Sequence, residues 1–493
     1  MNSPFVNTIV VCVGTSALAT LLGLTLALLT VCLRVPMHKW MSTLVLCLLL
    51  IPLYVQATAW SAGFGVQGWF RLSQVSAALS PIRAIASVVW IHAMATTPVC
   101  FLFCVLGLSR AFDSNSRQSL LDFGPWVSMF SVLIPKLWPW IAAGALWSVA
   151  MTGNDMVITN LFQVSTITES VYKQVQFNEL EQGSIWPSCS FAILVGAMVL
   201  AIATVLLKRV GSDSADTSGP ADSQAFEVQG LVRWLGAIVG WAIVSMVVLI
   251  PLANLVVKAG WIATMENGQT RRGWSPLVLI DSILQSRTFS NEILWSLQLG
   301  LYSSVVALVL GLLLVRCTKM TWAAWLSIGL AAFLLAMPGP IVNLVVLSLL
   351  DRSEPEWVGF LADRTLFGPI LAQQTRCFPI VFGMLWLANQ RYQRHNENSL
   401  RLDQGLPFST RSWVRASAMS TPIAVAFAVS FFVSFADLAT YLLVQPPQVT
   451  TVAMRMFDLL HYGIKNRESG LALALAMAGA VPTLYLVGRF LKK

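Results

Sequence analysis

Charge is scarce in this sequence. Of 493 residues, 11% are Asp, Glu, Lys or Arg and 56% are hydrophobic, whereas roughly a quarter of the residues in a soluble domain are charged. The composition therefore excludes an ordinary soluble fold. The net charge of +9 comes from Lys and Arg spread over the polar stretches between apolar runs. A nucleic-acid-binding protein would instead concentrate them in a basic stripe, so no nucleic-acid partner is expected.

Motifs for catalysis are also absent. No Gly-x-x-x-x-Gly-Lys-Ser/Thr loop occurs, so the chain is not expected to hydrolyse ATP, and no Ser-His-Asp or Cys-His set indicates a catalytic centre. The 4 His are scattered over different segments and the 8 Cys lie in or beside apolar runs, which predicts buried core thiols and no metal site. We therefore expect neither an enzyme nor a bound cofactor or metal.

Long apolar runs are abundant. About 20 residues of helix cross the roughly 30 Å of hydrocarbon in a bilayer, and continuous runs predict helices rather than the short alternating strands of a barrel. The first run lacks a basic leader and is too long for a signal peptide, so it is interpreted as a helix. The sequence predicts an all-α integral membrane protein of about 11 transmembrane helices, at residues 5–33, 41–64, 84–108, 128–150, 186–207, 231–257, 291–316, 322–350, 366–388, 422–444 and 470–490.

Basic residues indicate the orientation of these helices, because Lys and Arg accumulate in cytoplasmic loops. The loop at 389–421 and the C-terminal tail are rich in them, whereas the first eight residues contain none. We therefore predict an external N-terminus and a cytoplasmic C-terminus. The basic loop at 258–290 is the main exception to this pattern.

The two halves of the sequence repeat the same landmarks in the same order. The matched pairs are Gly23 with Gly311, Pro52 with Pro338, Pro98 with Pro379, Asp122 with Asp403, Gly124 with Gly405, Trp126 with Trp413, Pro135 with Pro422 and Asp155 with Asp437. The interval from Pro98 to Gly124 is 26 residues, and the interval from Pro379 to Gly405 is also 26. Matching helices are six spans apart, an even number, so the pattern predicts two parallel tandem repeats.

A polar stretch separates the repeats. Residues 211–228 contain the Ser-, Asp- and Gly-rich run GSDSADTSGPADSQA and no apolar periodicity, which is typical of a linker. The predicted domains are a first half at 1–210 with about 5 helices and a second half at 229–493 with about 6.

The repeated loops resemble those of a known family. The segments QSLLDFGPWVSMFSVLIPKLWP and SLRLDQGLPFSTRSWVRASAMSTP resemble the cytoplasmic EAA loop of permease subunits from binding-protein-dependent ABC importers. The stretches FADLATYLLVQPPQVTTVAMRMFDLLHYG and NDMVITNLFQVSTITESVYKQV are most similar to fused permeases for iron(III), with thiamine permeases near them. The similarity covers residues from about Thr8 to Arg489.

This resemblance implies a function and a set of partners. The chain would form the translocation pathway in a bacterial cytoplasmic membrane, an extracytoplasmic binding protein would deliver the solute, and two separate ATP-binding subunits would engage the loops. The implied coupling residues are Gln118, Asp122, Gly124, Trp126, Pro135, Asp403, Gly405, Trp413 and Pro422. Neither loop keeps Glu-Ala-Ala, and the Gly-to-Pro interval is 11 residues in one and 17 in the other, so these departures leave the strength and the symmetry of coupling open.

Four ionisable residues in or beside apolar runs are candidates for the transport pathway: Asp155, Asp437, His92 and Arg376. A charge at membrane depth is costly unless it is paired, so such residues mark functional sites by default. The alternative for each is structural, either pairing with a neighbour or hydrogen bonding to backbone, and Lys136 has the same two interpretations. A secondary transporter built from parallel repeats is the rival function, in which intramembrane acids would couple ion flow.

Overall fold

The computed structural model describes residues 3–65, 68–69, 81–112, 114–177, 190, 193–199, 201–202, 230–266, 269–317, 321–350, 356–392, 408–462 and 466–491. These residues form two compact units. The first contains Met1–Lys173, Ala201–Phe289 and Met456–Lys493, and the second contains Gln174–Leu200 and Ser290–Arg455. The packed units thus divide the chain differently from the predicted sequence halves. The linker at 211–228 lies outside the described residues, and the division into repeats stays a prediction.

The first unit begins with eight helices. They are α1 (Pro4–Ala27), α2 (His38–Cys47), α3 (Leu53–Phe64), α4 (Pro81–Ala111), α5 (Ser114–Ser128), α6 (Ile134–Asn154), α7 (Val157–Leu161) and α8 (Ile167–Gln176). After the gap, the chain continues through α9 (Leu231–Val244), α10 (Ile250–Ala259), the strands β1 (Trp261–Glu266) and β2 (Gln269–Trp274), and α11 (Pro276–Leu284).

The second unit continues with α12 (Ser290–Cys317), α13 (Thr321–Ala336), α14 (Gly339–Leu350), α15 (Glu356–Arg364), α16 (Phe367–Tyr392) and α17 (Phe408–Ala436). The chain returns to the first unit within α18 (Val452–Tyr462) and ends in α19 (Asn466–Leu491).

Helices α1, α4 and α6 form a three-helix core in the first unit. Small residues allow their backbones to approach closely: a Cβ atom at Gly23 of α1 would lie 2.7 Å from the backbone nitrogen of Phe101, and one at Gly144 would lie 3.2 Å from the Cα atom of Cys100. Close approach at small residues drives helix association in lipid. Helices α3, α10 and α19 pack together beside this core.

Helices α12, α16 and α17 form the corresponding core of the second unit. A Cβ atom at Gly311 of α12 would lie 2.9 Å from a Val381 methyl and 3.6 Å from the backbone nitrogen of Phe382. Helices α13 and α14 also pack on α16. Because α16 is surrounded by other helices, it can carry the buried polar residues Gln373 and Arg376.

Six helical segments in the described part of the chain are long and apolar enough to cross a membrane, or up to 8 if each sharply bent pair counts as one span. The six are Pro4–Cys32, Pro81–Ala111, Trp126–Asn154, Leu231–Ala259, Pro276–Arg316 and Ala416–Ala436. The bent pairs are His38–Leu50 with Leu53–Phe64, at 111°, and Trp322–Ala336 with Gly339–Leu350, at 107°. The chain is therefore a largely helical, multi-pass membrane protein.

These segments fall on eight of the predicted spans. The predicted span at 186–207 lies mostly outside the described residues, and those at 366–388 and 470–490 correspond to α16 and α19, which are not among the segments meeting the length and hydropathy test. The total of eleven spans stays a prediction. The loop predicted at 258–290 has structure of its own, because β1 and β2 form an antiparallel hairpin in which Trp261 pairs with Trp274.

Candidate functional site

Helix α5 is bent at Gly124. The backbone there has φ 76° and ψ 175°, so α5 consists of two helical pieces joined at this glycine. This conformation belongs to a region of the φ/ψ map that is essentially restricted to glycine. A Cβ atom would meet nothing within 4 Å, so backbone conformation rather than packing is the reason for glycine.

Around this bend, α5 exposes large apolar side chains. Leu121 is 87% exposed, Phe123 66% and Trp126 46%. The polar side chains of Gln118 and Asp122 are exposed beside them. An exposed apolar cluster flanked by polar residues is typical of an interaction surface. We refer to Leu121, Phe123 and Trp126 as the α5 patch.

Hydrogen bonds connect α5 to its neighbours. Lys136 in α6 donates from Nζ to the Ser116 hydroxyl at 2.8 Å, and that hydroxyl donates to the Ala111 carbonyl, the last residue of α4, at 2.7 Å. The hydroxyls of Ser119 and Ser128 lie 2.9 Å apart across the bend. The structure therefore gives Lys136 a structural role, joining the start of α6 to α5. Pro135 is the second residue of α6, where a missing N–H is tolerated.

Only part of the second predicted loop is described. Asp403 and Gly405 lie outside the described residues. Trp413 lies within α17, but its side chain is outside the description, and Pro422 lies inside the same helix. The equivalence of the two predicted coupling loops stays a prediction.

His92 and Asp155 form a buried pair in the first unit. His92 Nε2 lies 3.1 Å from Asp155 Oδ2, and His92 Nδ1 lies 2.8 Å from the Val88 carbonyl oxygen. Asp155 follows α6 and also accepts hydrogen bonds from the backbone N–H groups of Val157 at 3.2 Å and Ile158 at 3.0 Å. The pair joins the middle of α4 to the turn between α6 and α7.

Arg376 occupies the bend between α13 and α14 in the second unit. Its Nη1 donates to the Leu335 carbonyl at 2.6 Å and its Nη2 to the Met337 carbonyl at 2.8 Å. The third contact runs from Nε to Thr440 Oγ1 at 3.3 Å. Carbonyls at the C-terminal end of a helix have no intrahelical partner, and the guanidinium donates to two carbonyls at the 107° bend.

Asp437, just after the end of α17, is close enough to Arg376 for their charges to interact. Each unit therefore places a basic side chain on a proline-containing helix near an aspartate that follows the next core helix. The two basic residues are not at matching positions, because His92 precedes Pro98 by six residues and Arg376 precedes Pro379 by three. The residue six before Pro379 is Gln373, which is fully buried; neither side-chain polar atom has a hydrogen-bond partner among the described residues.

A second polar cluster in the first unit was not anticipated from sequence. His461 Nε2 contacts Asn160 Oδ1 at 2.9 Å, and Asn160 Nδ2 donates to Glu169 at 3.4 Å. Glu169 is buried and pairs with Lys173 at 2.5 Å. Burial, and secondarily the charge of nearby Asp458, raises the pKa of the Tyr172 phenol. No sequence motif connects these residues, because Asn160 and His461 are 301 positions apart.

Metal-binding geometry is not found in the described ranges, where no group of three or more His, Cys, Asp or Glu side chains could hold an ion. Comparisons with family models, with curated proteins and with solved structures find no match to this chain.

Proposed function

We propose that this chain is the transmembrane permease subunit of an ATP-driven, binding-protein-dependent importer. It forms the pathway for a small solute, which the sequence resemblance indicates is iron(III). A soluble binding protein delivers the solute from outside the cytoplasmic membrane of a bacterium, and two separate cytoplasmic subunits hydrolyse ATP.

The observation that carries this proposal is the form of α5. It is a surface helix between two apolar spans, bent at a glycine in a glycine-restricted conformation, and it exposes the α5 patch. Leu121 and Phe123 of this patch lie outside the long apolar segments, whereas Trp126 begins one of them. Exposed apolar side chains outside those segments indicate a partner other than lipid. A groove on an ATP-binding subunit is the partner that the resemblance implies.

Repeated packing supports the tandem architecture within this proposal. Gly23 in α1 packs against the backbone at Cys100 and Phe101, and Gly311 in α12 packs at Val381 and Phe382. Each of these sites follows its proline landmark, Pro98 or Pro379, by two and three residues. We propose about 11 spans in two parallel repeats, with the N-terminus outside and α5 on the cytoplasmic side.

The energy source for uptake tests the proposed class of transporter. Cells that carry the chain and its neighbouring genes are given radioactive iron(III), and initial uptake is measured after ATP depletion or after collapse of the proton gradient with ATP preserved. We expect loss of uptake in the first case and little change in the second. Uptake that survives ATP depletion would overturn the proposal.

A matched pair of variants then tests the α5 patch. Leu121→Asp should abolish uptake without reducing the amount of chain in the membrane. Tyr462→Asp, which changes another highly exposed side chain (80%) outside the long apolar segments, should leave uptake unchanged. Equal uptake by both variants would remove α5 from the coupling mechanism.

A secondary transporter is the alternative that one observation favours, namely the buried His92–Asp155 pair, since ion-coupled carriers use intramembrane acids. The same uptake experiment separates the two functions. A carrier would lose uptake when the gradient collapses and keep it when ATP is depleted.

A further inference from the structure

His92 has a hydrogen-bond acceptor at each ring nitrogen. The Val88 carbonyl lies 2.8 Å from Nδ1 and can only accept, and Asp155 Oδ2 lies 3.1 Å from Nε2. A neutral imidazole carries one N–H, so it can donate to only one of these oxygens. The other nitrogen would then direct its lone pair at an oxygen lone pair. Both contacts together require an additional proton.

We infer that His92 and Asp155 form a proton-binding site in the first unit, holding one exchangeable proton between Nε2 and Oδ2. The ligand is the proton itself. His92 is fully buried and Asp155 is 8% exposed, so bulk water does not substitute for the missing contact. Hydrogen bonds from a charged donor to a carboxylate are stronger than neutral ones.

Asp155 favours the arrangement in which the ring carries the proton. Its Oδ1 accepts from the Val157 N–H, and its Oδ2 accepts from the Ile158 N–H as well as facing His92. A carboxylate that accepts several hydrogen bonds is stabilised in its charged form. The protonated site is therefore an imidazolium–carboxylate pair that joins α4 to the turn after α6.

Other titratable groups on neighbouring elements do not supply this proton. Among the described residues, α1 brings Cys12, α3 brings Tyr54 and α4 itself brings Cys100. These are thiols and a phenol, side-chain types that carry no exchangeable positive charge. Beyond α7, Glu169 of α8 is paired with Lys173. The remaining charged groups lie near helix ends: Arg83 and Arg110 on α4, Lys136 on α6, His38 and Lys39 on α2, and Lys258 on α10.

In the described part of the second unit, no histidine stands at the position that matches His92. Gln373, which stands six residues before its proline as His92 does, has no ionisable group, and Arg376 stays charged at any working pH. Among the described residues, the His–Asp pair thus belongs to the first unit. Its consequence for transport, namely that the first unit responds to pH through this pair, rests on the proposed function.

The sign of the effect follows from the contacts. With the proton bound, both ring nitrogens donate and α4 is held to the turn after α6. As pH rises and the proton leaves, one contact is lost and an unpaired lone pair remains against an acceptor. The protein should therefore lose thermal stability as the pH is raised.

Thermal unfolding of the purified full chain in nanodiscs, measured between about pH 6 and about pH 9, tests the site. A free histidine in water loses its proton near the lower end of this range, so the range begins where a histidine proton is bound and extends to where it is released. The wild-type midpoint should fall over this range, and His92→Gln should lose most of that fall. His461→Gln removes an exposed histidine whose ring also contacts two acceptors, and it should keep the wild-type fall. An equal pH response in wild type and His92→Gln would overturn the inference.

Nitrogen NMR on a chain that keeps only His92 gives a second test, which does not depend on whether the His92→Gln protein folds. The other histidines, His38, His395 and His461, are replaced by Gln, and the ring is labelled with ¹⁵N. We expect two N–H signals at the acid end and loss of one on raising the pH. One N–H throughout would also overturn the inference. Neither measurement involves uptake, so failure of the proposed function would leave both results interpretable.

Discussion

Gly124 is a residue at which the backbone conformation restricts the choice of amino acid. Its φ of 76° with ψ of 175° is reached by residues with a Cβ atom only under strain of about 1 to 3 kcal/mol. Because a Cβ atom there would touch nothing within 4 Å, a substitution tests conformation without a steric clash.

We therefore predict that Gly124→Ala lowers solute uptake and changes proteolytic cleavage at the bend of α5. Gly359→Ala should have little effect on either. Gly359 also has nothing within 4 Å of its Cβ position, but no positive φ. Uptake and limited proteolysis near residue 124 are the measurements. Equal behaviour of the two variants would show that the bend is not needed.

Arg376 gives a second prediction at the residue scale. Arg376→Gln removes the charged donor to the Leu335 and Met337 carbonyls in a buried site, and a hydrogen bond to a charged group contributes about 1.5 to 3 kcal/mol. The unfolding midpoint of the purified chain should fall clearly. Arg364→Gln, at the exposed end of α15, is the control and should shift it little. A similar shift for both would contradict the role assigned to Arg376 at the bend.

Sequence identified the ionisable residues of the site but not what they contact. Asp155 and Asp437 were found because they recur in both halves, and His92 and Arg376 because charge in an apolar run is unusual. The acceptors Val88, Leu335 and Met337 are backbone carbonyls. Any residue type supplies a carbonyl, so no sequence pattern could have marked them.

Among the elements, the helix crossings depend on small residues. A side chain at Gly23 would meet the backbone of α4 at 2.7 Å. The α4 backbone cannot move aside as the end of a flexible side chain can. Overpacking of this kind typically costs about 1 to 3 kcal/mol.

Gly23→Leu should therefore separate α1 from α4 and reduce the yield of folded protein after mild detergent extraction. Gly329→Leu in α13, where nothing lies within 4 Å of the Cβ position, should leave the yield unchanged. Size-exclusion chromatography of the two variants makes the comparison. Normal yield for Gly23→Leu would contradict the close crossing.

Apolar runs predicted most helices because hydrocarbon selects for them along the whole span. The β1–β2 hairpin was missed, although the Asn-Gly dipeptide at 267–268 is a strong hairpin signal. Helix α16 does not meet the length and hydropathy test, because it carries the polar residues Gln373 and Arg376. Neighbouring helices, rather than lipid, surround that part of it.

At the scale of the whole molecule, sequence order and packing differ. Helices α9, α10 and α19 follow the predicted linker but pack within the first unit, where α10 and α19 contact α3. A duplicated sequence predicts two similar halves, but long-range contacts decide which helices form a compact unit.

The proposed docking of α5 on a separate ATP-binding subunit is tested most directly by photo-crosslinking in cells. A photoreactive amino acid is placed at Leu121, and another at Tyr462 as the control. We predict that the Leu121 probe captures a chain containing a phosphate-binding loop and that the Tyr462 probe does not. Active uptake with no such crosslink from Leu121, or with the same crosslink from both positions, would contradict the proposed coupling.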